Sequence, residues 1–262
     1  MLEIESAYLS ELGGRQRNED ACGYWTSERA GCWVVSDGAG GHGSGDIASR
    51  IVVSHTLERF SAEPAVSPEH IVELLRGAND AVIREKNTGS TRDDMHATAA
   101  ILAFDRERDL AIWGHAGDTR LYLFRDGAMT YRTRDHSLVQ SLIDAGYGGE
   151  EMIRSHPQRS LLTSAIGSAE SVELSVASEM LRVQPGDVFL LCTDGWWEYV
   201  EESEMQTLLS CATSSHEWLA LMSEAIKAKV TGQNDNYTAM CVTVGHEASA
   251  TTVIFPSGPE AA

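Results

Sequence analysis

The chain lacks any apolar run approaching the roughly 20 residues that a membrane-spanning helix requires. Its first residues, Met1-Leu2-Glu3-Ile4-Glu5, carry neither the basic nor the apolar region of a secretory signal. The expectation is a protein that stays in the cytoplasm. Basic residues are scarce: 20 Lys and Arg face 39 Asp and Glu, a formal net charge of −19. A surface of that sign repels nucleic-acid phosphates and anionic lipid, so neither nucleic acid nor membrane is expected as a partner. The same acidity suits a protein that gathers divalent cations, and equally one that only needs to stay dissolved. Cysteine is sparse as well. Cys22, Cys32, Cys192, Cys211 and Cys241 are an odd number without a Cys-x-x-Cys pair, and four of them lie in apolar runs such as Cys32-Trp33-Val34-Val35. This excludes a disulfide framework or a zinc site and predicts reduced thiols in a core.

What is present reads as one domain of 262 residues without repeats or low-complexity linkers. Short β-patterns at 4–9, 21–25 and 31–36 lead through a glycine-rich loop, 37–45, into a helix at 46–60 with Ile47, Ile51 and Leu57 on one face. Ser67-Pro68-Glu69 opens a second helix, to about 86, with a capping hydroxyl and a proline in the first turn. Strands are predicted at 97–104, 110–116, 120–124 and 128–132, the last two joined by a hairpin at Arg125-Asp126-Gly127. Asp135 is expected to cap a helix over 137–145. After a mixed segment, 146–167, strands return at 172–177 and 187–193, then helices at 201–211 and 215–230 and a strand at 238–244. Consecutive strands with clustered helices, and no βαβ alternation, predict an α+β fold with antiparallel sheets.

Four acidic sites share one local setting. Asn18-Glu19-Asp20 precedes a strand, Asp37-Gly38 and Asp194-Gly195 each end one, and Asp235-Asn236 sits in a turn before the last. Carboxylates at strand termini can converge at one end of a sheet, where hard cations such as Mg²⁺ and Mn²⁺ take oxygen ligands and waters. The glycine after Asp37 would let a backbone carbonyl join them. Asp-Gly is also an ordinary turn dipeptide, so spacing alone leaves both readings open.

Six segments in order carry a resemblance: Arg15-Gln16-Arg17-Asn18-Glu19-Asp20, Val35-Ser36-Asp37-Gly38-Ala39-Gly40-Gly41-His42, Gly117-Asp118-Thr119-Arg120, Asp135-His136-Ser137, Leu190-Leu191-Cys192-Thr193-Asp194-Gly195 and Asn234-Asp235-Asn236-Tyr237-Thr238. Over roughly residues 6–244 the chain resembles the protein phosphatase type 2C family in its compact bacterial form. The resemblance implies a central antiparallel β-sandwich flanked by helices on both faces, a four-layer αββα arrangement, in residues 1–246, with 247–262 an accessory tail. It implies a monomeric Ser/Thr phosphatase that acts on phosphorylated proteins, opposes a Ser/Thr kinase, and uses two Mn²⁺ or Mg²⁺ ions plus a weaker third. Asp20, Asp37, the Gly38 carbonyl, Asp194 and Asp235 would hold the two core ions, with Glu19 acting through a water. Asp118 and Asp194 would hold the third. Arg15 would clamp the substrate phosphate, with Arg17 the alternative that strand alternation points elsewhere. A water or hydroxide between the two ions would attack phosphorus directly, with no phosphoenzyme.

Departures from the family pattern are local. Ala39 stands where eukaryotic relatives often carry a histidine proposed as general acid, and His42 in the same loop is read as a turn residue. Ser164 replaces a basic residue, and 146–160 would form the variable flap beside the cleft. His115 and His136 are read as structural. Two rival functions are weaker on sequence: an inactive binding relative would lose metal aspartates, and a nuclease would not carry a charge of −19.

Overall fold

The computed structural model describes residues 2–40, 44–88, 94–168, 172–232 and 234–245. His42 and the tail from 247 lie outside these residues. In chain order the elements are β1 (Glu3–Glu11), β2 (Asp20–Thr26), β3 (Ala30–Ala39), α1 (Gly45–Ala62), α2 (Pro68–Lys86), β4 (His96–Ala97), β5 (Ala99–Asp105), β6 (Leu110–Ala116), β7 (Arg120–Arg125) and β8 (Ala128–Arg132). They continue with α3 (Leu138–Asp144), α4 (Met152–Ser155), β9 (Ser175–Val176), β10 (Leu181–Arg182), β11 (Val188–Cys192), α5 (Asp194–Trp197), α6 (Glu202–Cys211), α7 (Ser215–Lys229) and β12 (Tyr237–Gly245).

Every strand pairing is antiparallel. One sheet runs β1-β12-β11-β7-β8; the other runs β10-β6-β5-β3-β2, with β4 on β3 and β9 on β6. The period-2 alternation of each strand sorts its side chains between two layers. On β3, Trp33 and Val35 face the opposite sheet, while Cys32 and Val34 face α1 and α2. On β11, Phe189 and Leu191 turn inward, and Leu190 and Cys192 pack under α5–α7 with Trp196, Trp218 and Met222. Phe104 closes the gap between the sheets edge-on, 5.3 Å from Phe189 and 5.4 Å from Trp33. Burying each such ring contributes about 1.5–3 kcal/mol. The expected four-layer sandwich is the one observed.

Local chemistry explains most element ends. Ser67 caps α2, accepting from the His70 backbone N–H at 3.2 Å, with Pro68 in the first turn. The β7–β8 hairpin places Asp126 and Gly127 at φ 53° and 76°, both left-handed, which suits the twist of the flanking strands. Other expectations need correction. The cap of α3 is Ser137, not Asp135: the Gln140 N–H donates to Ser137 Oγ at 3.2 Å. Asp135 is instead the counter-charge of Arg120, a fully buried guanidinium gripped at 2.8 and 2.7 Å. Removing one partner of such a pair strands a buried charge and costs about 3–5 kcal/mol. The strand expected at 172–177 narrows to β9, and Asp194-Gly195, expected to end a strand, begins a helical turn, α5, directly after β11. Cys32, Cys192 and Cys241 are core residues as predicted, but Cys22 is half-buried and Cys211 is exposed at the end of α6. Among the described residues no helix is long and apolar enough to cross a membrane.

Candidate metal and phosphate site

One end of the sandwich gathers the acidic residues. The β2–β3 register sets Asp20 directly opposite Asp37. Like charges across a ladder repel, so nothing in sheet formation itself favours that pairing. Asp118 follows β6, Asp194 follows β11 and Asp235 precedes β12, all at the same end. A cleft of ≈ 430 Å³ is lined by Arg15, Arg17, Glu19, Asp37, Asp118 and Asp194, together with Gly38 and Asp235. Of the predicted site residues Asp20 alone is outside that lining; it is held close by Thr193, whose hydroxyl donates to Asp20 Oδ2 at 2.9 Å.

The backbone is packed to bring these groups together. A Cβ on Gly38 would lie 2.0 Å from the Gly45 carbonyl, and one on Gly195 would lie 2.1 Å from the Asn236 carbonyl. Neither position accepts a side chain. The Gly38 N–H donates to the Glu19 carbonyl at 3.1 Å, locking the second motif onto the first. Asn236, which sequence reasoning left without a role, is the staple of the site. It accepts from the Glu19 N–H at 2.9 Å and donates to the Leu12 and Arg17 carbonyls at 2.7 and 2.9 Å. Its place inside the Asn234-Asp235-Asn236 motif was the available signal, as was that of Thr193 directly before Asp194.

Electrostatically the cleft is short of positive charge. Burial, aided by neighbouring carboxylates, pushes Asp20 up to about 7. Asp118 is also pushed to about 7, by burial and then by Asp135. Burial holds Asp37 and Asp194 well above the usual carboxylate range, aided first by Asp20 at Asp37 and by Asp118 at Asp194. Glu19 is raised by burial and by Asp46. Asp194 Oδ1 is buried without a hydrogen-bond partner. The nearest compensation is Arg15, 2.6 Å from Asp235 Oδ2.

Arg17 lines the same cleft, which departs from the expectation that alternation would turn it away. The reason is local: β1 ends at Glu11 and β2 begins at Asp20, so the arginines sit on a bent loop with no strand alternation. The donor set is oxygen only; no His or Cys lines the cleft among the described residues. That suits hard divalent cations. Among the described residues no three His, Cys, Asp or Glu side chains already stand grouped as a metal clasp. Cysteine nucleophiles are disfavoured, since burial raises the Cys32, Cys192 and Cys241 thiols.

The histidines are structural, as read. His115 and His136 stack with centroids 4.7 Å apart, His115 Nε2 bonds the Arg134 carbonyl at 2.7 Å, and His136 Nδ1 accepts from the Gly117 N–H at 3.2 Å. Burial lowers both, His115 to about 4. Ala39 is exposed at the cleft and offers no proton. Ser164 is buried, its hydroxyl bridging the Glu173 backbone at 2.8 and 3.2 Å, so it contributes to loop closure and not to the cleft wall. From the flap, Ser160 reaches the cleft.

A four-layer sandwich with such an acidic cleft at one end is the arrangement of a phosphoprotein phosphatase, a hydrolase of phosphoric monoesters. The family model for protein phosphatase 2C matches residues 10–232. A putative protein phosphatase 2C-type from Streptococcus pyogenes is 30% identical over 233 residues, covering 87% of this chain and 92% of the relative. The chain belongs to the protein phosphatase 2C family. Among solved structures, PppA, a key regulatory component of T6SS in Pseudomonas aeruginosa, is 33% identical with a TM-score of 0.75, covering 92% of this chain and 97% of PppA. The catalytic domain of the serine/threonine protein phosphatase PstP in complex with two manganese ions is 26% identical with a TM-score of 0.80, covering 94% of this chain and all of that one.

Proposed function

We propose that this chain is a metal-dependent protein Ser/Thr phosphatase that hydrolyses phosphoserine and phosphothreonine by direct attack of an activated water. The observation that carries the proposal is the convergence of Asp37, Asp194 and Asp235 from separate strand ends on one cleft, with Asp20 paired to Asp37 across the β2–β3 ladder, and too little positive charge to match them. Asp20, Asp37, the Gly38 carbonyl, Asp194 and Asp235 would hold two Mn²⁺ or Mg²⁺ ions, with Glu19 at the edge; the two manganese ions of the PstP catalytic domain support that reading. Asp118 and Asp194 would hold a third, weaker ion. Bound there, the cations supply an acidified water as nucleophile near neutral pH and offset phosphoryl charge. The chain's own residues orient the reaction: Asn236 fixes the loop that carries Arg15, and the planar Arg15 fork takes two phosphate oxygens. The Ser/Thr phosphatase names of the relatives support phosphoprotein substrates; to these we add opposition to a Ser/Thr kinase in the cytoplasm. The last described strand ends at Gly245, and we assign the phosphatase unit to 1–246 and an accessory tail to 247–262.

The test is hydrolysis of p-nitrophenyl phosphate and a phosphothreonine peptide. EDTA should abolish activity, added Mn²⁺ should restore it, and thiol reagents should leave it unchanged. Activity that survives EDTA and exhaustive dialysis would contradict the metal reading.

Arg15 and Arg17 are separable. Arg15→Ala should raise KM about 10-fold or more, the loss of a charge-assisted bond of roughly 1.5–3 kcal/mol. Arg15→Lys should rescue only part of it, because a point charge cannot replace the fork. Arg17→Ala should do less. Steady-state kinetics that find Arg17→Ala the worse variant would reassign the clamp.

A further inference from the structure

The turn that presents Asp118 is held by side chains from three directions. His136 accepts from the Gly117 N–H at 3.2 Å, and the Gly117 carbonyl takes the His136 N–H at 3.0 Å. The Thr119 hydroxyl bonds the hydroxyl of Thr98, which in turn accepts from the Asp37 N–H at 2.9 Å. The third hold is the indole of Trp197, whose Nε1–H donates to the Asp118 carbonyl at 3.0 Å. Trp197 is buried, and the Arg120 guanidinium lies 3.5 Å from its ring centroid, clamping it from the other side. Arg120 is in turn fixed by Asp135 and Tyr122. Gly117 itself has φ +91°, a left-handed backbone that favours glycine.

The same tryptophan also receives the flap. Arg154 of α4 donates Nε–H to the Trp197 carbonyl at 2.9 Å and reaches Glu202 at 2.9 Å. Arg159 grips Glu198, the next residue, at 2.6 and 3.3 Å. Both arginines therefore fasten the flap to α5, the helical turn that begins with Asp194. Trp197 is thus bonded through its backbone to the flap and through its ring to the turn bearing Asp118. Neither contact was legible in the sequence.

We propose that Trp197 is a positioning residue that couples the flap to Asp118, setting how well the Asp118–Asp194 pair accepts a cation and hence how well the enzyme handles unactivated phosphoester leaving groups. This rests on the third-ion reading given above. The physical basis is that the Asp118 carboxylate has few ways to adjust: it is buried, and its backbone carbonyl has one donor from outside the turn. Removing that donor leaves a buried carbonyl unpaired and frees the turn to rotate. An intact indole, positioned by Arg154 from the flap side, keeps the carboxylate aimed beside Asp194.

The informative variant is Trp197→Phe, which keeps a ring for Arg120 and deletes the N–H donor together with part of the buried ring volume. Arg154→Ala releases the flap side while leaving the indole in place. Mn²⁺ titration calorimetry of the metal-free full chain gives a readout independent of turnover, and thermal melting checks the fold. Trp197→Phe should leave the tighter Mn²⁺ events unchanged and weaken the weakest about 10-fold. It should lower the ratio of phosphothreonine-peptide to p-nitrophenyl phosphate turnover by a similar factor. Arg154→Ala should shift both readouts in the same direction by less. In an Asp118→Ala background, Trp197→Phe should add nothing to the ratio, because the group it positions is gone. Weakest-event affinity and ratio both at wild-type values in Trp197→Phe would overturn the proposal. So would uniform weakening of every Mn²⁺ event, or additive losses in the double variant, since these mark a plain packing role. An unchanged Arg154→Ala beside an affected Trp197→Phe would overturn the flap coupling. A wild-type titration without any weak event would strike the third-ion reading itself, whereas a weak event insensitive to Trp197→Phe would strike only this inference.

Discussion

Asp194→Asn is expected to lower Mn²⁺-supported turnover of p-nitrophenyl phosphate by about 10³-fold or more, about 4 kcal/mol at 1.36 kcal/mol per decade. The amide keeps the shape of the carboxylate and removes its charge. Asp194 stands where the core site and the Asp118 side of the cleft meet, and its buried Oδ1 has no protein partner. A hard cation loses both charge and geometry when such a ligand becomes neutral. The metal-free protein should respond in the opposite sense. Burial and the neighbouring carboxylates raise the Asp194 pKa in the folded state. Its ionised form therefore opposes folding above the unfolded carboxylate pKa, and the penalty is greatest at pH values above the folded one. Removing the charge should raise the metal-free Tm at neutral pH. Turnover close to wild type in Asp194→Asn would refute its assignment as a core ligand. A fall in metal-free Tm would show that the carboxylate serves packing, and that the loss of activity is only loss of fold.

Asp118→Ala should fold, retain the two tighter Mn²⁺ binding events and lose the weakest. On phosphoserine or phosphothreonine peptides it should lose about 10²-fold, the scale of general acid–base assistance. On p-nitrophenyl phosphate, whose leaving group hardly needs a proton, the loss should stay within about 10-fold. Ala39 offers no side-chain acid at that position, and we assign protonation of a serine or threonine oxygen to the Asp118 side. The opposing view is that Gly117-Asp118 is a simple turn. Its three side-chain anchors and the burial of the Asp118 carboxylate argue against that. Equal losses on both substrates would remove the leaving-group role, and unchanged activity on both would restore the simple turn.

The elements were largely legible because their signals are local. Ser67-Pro68 announced α2, Arg125-Asp126-Gly127 announced the hairpin, and apolar alternation at 31–36 and 187–193 announced the central strands. Errors arose where a local signal met a distant partner. Asp135 has the chemistry of a helix cap, but Arg120 is buried with no other carboxylate so well placed, and Coulomb attraction in a dry interior outweighs one capping bond. Arg17 was misdirected because alternation holds only within a strand, and the loop between Glu11 and Asp20 is none.

By itself the sequence determined the α+β class, the antiparallel sheets and the set of acidic residues, because periodicity, turn chemistry and residue type are properties of neighbouring positions. Only the tertiary structure decided which of those residues share a cleft, that Asn236 staples the Arg15 loop, and that Trp197 joins the flap to Asp118. Those contacts link positions 79 and about 220 residues apart in the chain. No local propensity encodes them; they arise when two sheets close on a common core and strand ends from opposite halves of the chain meet at one edge.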